Sequence, residues 1–83
     1  MKHLRSDYDR IQDPAGIIPP NEPVFLLRAQ DILAPLAIRE WARLWDMHRG
    51  DPYVSKRVRD LADEMVAWPI RKMPTIPTRL LRE

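Results

Sequence analysis

Nine prolines in 83 residues, about twice the usual share, leave this chain few stretches in which regular structure can run. Pro14, Pro19, Pro20 and Pro23, with Gly16, make residues 13–23 an extended, turn-rich lead-in. Proline has no amide donor and keeps the residue before it out of the helical region. Pro69, Pro74 and Pro77 impose the same on the end of the chain. The expected class is a small α+β fold: one short strand at about 23–29, packed on an antiparallel two-helix hairpin at about 34–48 and 52–68. It reads as one domain, with 1–22 a lead-in, 23–68 the strand and hairpin, and 69–83 a proline-rich basic tail.

Both helices are punctuated. Asp31 offers a carboxylate ahead of the first, and Pro35 is tolerated only in a first turn, where its missing donor is not needed. Ala37, Ile38, Trp41, Leu44, Trp45 and His48 recur at helical spacing, and Gly50 supplies a stop. Asp51 and Pro52 then serve as N-cap and first helical residue of the second helix. Its apolar positions Val54, Val58, Leu61, Met65 and Trp68 step by four, three, four and three. The connection is so short that the helices must fold back on each other and share a core. Trp41, Trp45 and Trp68 are expected to meet there in an aromatic cluster.

The strand is apolar on both faces, Val24 and Leu26 to one side and Phe25 and Leu27 to the other. Its backbone also needs a neighbour. Ile17–Ile18 and residues 70–76 are the internal candidates, and their prolines weaken both. Val24, Phe25, Leu26 and Leu27 are therefore read as an assembly edge completed by a second copy or another protein. A core drawn from so short a chain is marginal unless it oligomerises.

Several function classes find no support. The chain has no cysteine, so it has neither disulfides nor thiolate metal sites. Ser6, Ser55, Thr75 and Thr78 are the only hydroxyl nucleophiles of that type, and none sits in a strand-turn-helix elbow. His3 and His48 lie far apart without the carboxylate spacing of a metal site. Asp7, Asp9 and Asp13 are interleaved with Arg5 and Arg10, a pattern of solvated ion pairs rather than a calcium loop. The chain reads as non-enzymatic, with no cofactor and no metal. No apolar run reaches membrane-spanning length, and residues 1–10 lack the apolar core of a signal peptide; the expectation is a soluble, cytoplasmic protein.

The formal net charge is +2. Basic and acidic side chains balance over the first fifty residues, and the excess gathers at Arg71, Lys72, Arg79 and Arg82. Lys56, Arg57 and Arg59 form a basic strip, but Asp60, Asp63 and Glu64 answer it and would repel phosphate. Binding candidates are Arg28, beside the Val24 and Leu26 face, and Arg39 and Arg43, with Trp41 as a stacking ring. Tyr8 and Arg10 offer a second ring and cation. Arginine with an aromatic platform suits a small anionic ligand such as a nucleotide.

The run from Asp7 to Asp31, above all Pro-Val-Phe-Leu-Leu-Arg-Ala-Gln-Asp at 23–31, followed by Ala-Pro and a Trp-bearing helix, resembles small accessory proteins of phages and prophages. The likeness covers about residues 7–68 and carries over no catalytic or binding residue. It implies a context: such proteins commonly bind and block a host factor or sequester a host immune signal. The reading is a homo-oligomeric binding protein of the host-cell cytoplasm, acting in counter-defence or host takeover on a host protein or a signalling nucleotide. The alternatives are a nucleic-acid-binding accessory protein and a virion or assembly component.

Overall fold

The computed structural model describes residues 1–82. In chain order it contains strand β1 (Lys2–His3), a 3₁₀ turn (Ser6–Tyr8), strand β2 (Pro23–Val24), helix α1 (Ala34–Met47), helix α2 (Pro52–Val66) and a second 3₁₀ turn (Thr78–Leu80). Contacts gather the chain into two compact units, Met1–Leu26 with the chain from Thr75 onward, and Leu27–Pro74.

In the first unit β1 and β2 pair in parallel, Lys2 opposite Pro23 and His3 opposite Val24. Lys2 N donates to Glu22 O at 2.8 Å. The strand expected at 23–29 is thus only two residues long, and on one side its neighbour is the chain's own Lys2–His3. The reason is local: after Leu4 the chain turns into the 3₁₀ segment, so β1 offers no further ladder. Phe25, beyond the pairing, is 63% exposed. The crossover between the strands is held by Asp13, whose carboxylate accepts from Ile18 N at 2.8 Å while Gly16 takes a φ of 62°, a conformation glycine adopts without penalty.

Arg82 fastens the C-terminal segment to this unit. Its amide donates to Leu4 O, its Nε to His3 O at 3.1 Å and its Nη2 to the Asp9 carboxylate. Residues 69–82 therefore form specific contacts rather than a free tail. Further contacts lie in the second unit: Lys72 N donates to Gln30 O at 2.7 Å and Ile32 N to Lys72 O at 3.0 Å, and Arg71 Nε donates to Ala29 O. The segment 70–76, an internal candidate weakened by its prolines, does pair, at a single bridge between Asp31 and Lys72.

The second unit is the antiparallel helical hairpin. Both helices occur where expected, each about one turn or less shorter at its C-terminal end. Asp51 caps α2, its carboxylate accepting from Tyr53 N at 2.9 Å. Asp31 caps nothing inside α1, whose N-cap is Leu33; it accepts instead from Leu33 N, 2.7 Å away, in the preceding turn. At the corner the positive φ falls on Arg49, not on Gly50. Gly50 answers a different need: a Cβ there would lie 2.1 Å from Trp45 Cε2. The indole lies over that backbone and donates from Nε1 to Asp51 O at 2.8 Å.

The most deeply buried non-proline positions of the two helices carry small side chains. Ala34 and Ala42 of α1 and Ser55 and Ala62 of α2 are buried, which permits a close approach of the two helices. The seam is rotated from the expected one: Leu61 and Trp68 are 46% and 53% exposed, and Trp41 and Leu44 are 47% and 42% exposed. Two helices cover only a narrow arc of one another, and the small residues take that arc. Trp41 and Trp45 stack with ring centroids 5.2 Å apart; Trp68 does not join them.

Candidate functional site

Two cross-helix ion pairs define one edge of the seam, Arg39 to Asp63 and Arg59 to Asp46, each at 2.8 Å. With 3.6 residues per turn, the large apolar side chains fall past the seam on the opposite edge. On α1 these are Ile38, Trp41 and Leu44; on α2 they are Val58, Leu61 and Met65. Because the helices run antiparallel and the ion pairs share one side, both apolar flanks share the other. The hairpin thus carries one charged edge, closed by its own ion pairs, and one broad apolar face in which Trp41, Leu44 and Leu61 are exposed. Clustered exposed apolar residues of this size mark interaction surfaces, whereas scattered ones need no explanation.

Along α2 this face opens into a shallow depression of about 700 Å³ with Tyr53, Val54 and Leu61 in its lining. Arg57 and Glu64 also line it, and neither has an ion-pair partner among the described residues. A second depression, about 510 Å³, sits at the hairpin corner, where Arg49, Lys56 and Arg59 surround Asp46. Its cations are largely committed, Arg59 to Asp46 and Lys56 to Asp60.

The carboxylates respond to these partners. Lys56 holds the Asp60 carboxyl below its ordinary range through their hydrogen bond, and Arg43 does the same to Glu40. Asp46 is held low first by the adjacent Ser55 hydroxyl and then by Arg59. That hydroxyl has one proton, donated to Pro52 O in the structure, so it serves Asp46 only by turning. In the first unit Arg5 lowers Asp7 through a hydrogen bond of 2.6 Å. Asp7, Asp9 and Asp13 are each engaged by Arg5, Arg82 and the Ile18 amide respectively. No group of three metal-ligating side chains occurs among the described residues.

Within the hairpin the binding candidates are not brought to one place. Arg28 is exposed and heads a turn closed by Asp31 N donating to Arg28 O. Arg39 and Arg43 are occupied by Asp63 and Glu40, and by helical period they stand about half a turn away from Trp41. A ligand stacked on Trp41 is therefore out of reach of both guanidinium groups of the same chain. Tyr8 belongs to the other unit, with Arg5 lying 4.6 Å over its ring, and Arg10 is exposed beside it in sequence. Ser55 and Ala62, which decide how the helices meet, escaped the sequence reading. The signal was there: two small residues seven apart, each one position after a member of the apolar seam.

No helix among the described residues is long and apolar enough to cross a membrane. No protein-family model, curated protein or solved structure matches this chain.

Proposed function

We propose that this chain is a non-enzymatic, phage-type binding protein that works as a homo-oligomer in the host cytoplasm and counteracts or redirects a host component by covering a protein. The observation that carries this reading is the broad apolar face left uncovered on the hairpin. Protein interfaces concentrate aromatic and large aliphatic side chains at their centres and place charge at their rims. Trp41 and Leu44, on α1, supply such a centre. The host and the counter-defence setting rest on the resemblance to phage accessory proteins.

Sequestration of a signalling nucleotide is the weaker branch, because Arg39 and Arg43 already hold carboxylates and stand away from Trp41. Nucleic-acid binding is weaker again, with Lys56 and Arg59 paired to Asp60 and Asp46. The test is the native mass of the purified chain and of whatever stays bound to it, compared between wild type and Leu44→Glu. The reading expects a particle larger than one chain, reduced in the variant. Depletion of cyclic nucleotides by the wild-type protein, measured by chromatography, would overturn the protein-covering branch in favour of sequestration.

A further inference from the structure

The face on α2 has the pattern of an antiparallel helix pair that lacks its second member. Val54, Val58, Leu61, Met65 and Trp68 alternate steps of four and three, the spacing of core positions in a coiled coil. One flank of that stripe, at Ser55 and Ala62, is buried against α1. The other flank holds Arg57 and Glu64, seven residues apart and so in the same heptad position, and both lack an ion-pair partner among the described residues. Their neighbours are satisfied: Lys56 pairs with Asp60, Arg59 with Asp46 and Arg39 with Asp63.

We infer that a second copy of this chain docks on this face, with the two α2 helices antiparallel about a twofold axis between Arg59 and Asp60. The register that sets Val58 opposite the partner's Leu61 also sets Val54 opposite the partner's Met65. That same register brings Arg57 to the partner's Glu64 and, by symmetry, Glu64 to the partner's Arg57. One spacing thus satisfies the apolar stripe and both unpaired charges, and the surface is complementary to itself, as a twofold interface requires. The result is a four-helix arrangement in which Ala42, Ala62 and Ser55 hold each hairpin together and the larger side chains join the two hairpins. It also supplies apolar burial that a hairpin sealed by alanine and serine does not provide alone.

This inference specifies the assembly in the reading above and rests on it. Its test is sedimentation velocity on the whole chain, for wild type, Arg57→Glu, Glu64→Arg, the double variant and an equimolar mixture of the two single variants, with circular dichroism to confirm equal helix content. The wild type is expected to be a dimer. Each single reversal places like charges opposite one another twice and should weaken the dimer roughly tenfold or more. The mixture of single variants should form heterodimers, and the double variant should regain the wild-type dimer, because both restore opposite charges. A dimer indifferent to all these changes would overturn the register while leaving assembly standing. A monomeric wild type would overturn both.

Discussion

A methyl group at Gly50 would sit 2.1 Å from the Trp45 ring, so Gly50→Ala must displace the indole and break its bond to the Asp51 carbonyl. The expected loss is about 1–3 kcal/mol, typical of overpacking, read as a lower urea midpoint with an unchanged slope. His3 presents the reverse case. It is 3% exposed, and neither ring nitrogen has a hydrogen-bond partner among the described residues; the edge of Tyr8 lies beside it, with centroids 6.2 Å apart, and its backbone oxygen accepts from Arg82. A buried polar group without a partner costs about 1–3 kcal/mol, whereas an apolar group of the same shape costs nothing of that kind. His3→Leu is therefore expected to leave unfolding stability unchanged or raise it by about 1 kcal/mol. A clear loss in the same denaturation experiment would show that the imidazole nitrogens are satisfied in solution.

The helices were legible because their punctuation is chemical: Pro35 and Pro52 admit only first turns, and Asp51 caps as its type and position imply. What the apolar stripe could not reveal is its occupant. A period of 3.6 residues says which face is apolar, and small residues beside it, Ser55 and Ala62, decide whether a neighbouring helix takes that face or the next one. The strands were less legible still, since Lys2–His3 is too short to show alternation and Pro23–Val24 carries its pairing on backbone atoms alone. The hairpin also has a predictable response to acid. Glu40, Asp46 and Asp60 titrate below the ordinary carboxylate range because Arg43, Ser55 with Arg59, and Lys56 favour their charged forms. A depressed folded value means the unfolded chain binds protons more readily, so the stabilisation is present above the ordinary value and is lost as pH falls through the folded one. Thermal unfolding followed at 222 nm should therefore show a midpoint that holds near neutrality and declines below about pH 4. Replacing Asp46 and Asp60 by Asn should flatten that decline, and a decline of unchanged steepness would assign it elsewhere.

Of the binding candidates named by residue type, Arg39 and Arg43 are paired with Asp63 and Glu40, and the Tyr8 ring is covered on one face by Arg5. Residue type alone could not show this, because an arginine two positions from a tryptophan faces the other way around a helix. The expectation of assembly has a different footing now. It began with an apolar strand, whose ladder among the described residues is completed within the chain, and it rests instead on the hairpin, where the fully buried side chains are small and several large ones, Trp41, Leu44 and Leu61 among them, are exposed. Each hairpin has an edge closed by ion pairs and a face that nothing in its own unit seals. The proposed assembly requires this face to be covered in the working protein. The most direct measurement is sedimentation equilibrium of the purified 83-residue chain beside its Leu61→Asp variant. A covered face puts the wild type at a multiple of the 9.8 kDa chain mass and shifts the variant towards a single chain with its helices intact. A wild type that stays at 9.8 kDa up to its solubility limit, with nothing bound, would contradict it.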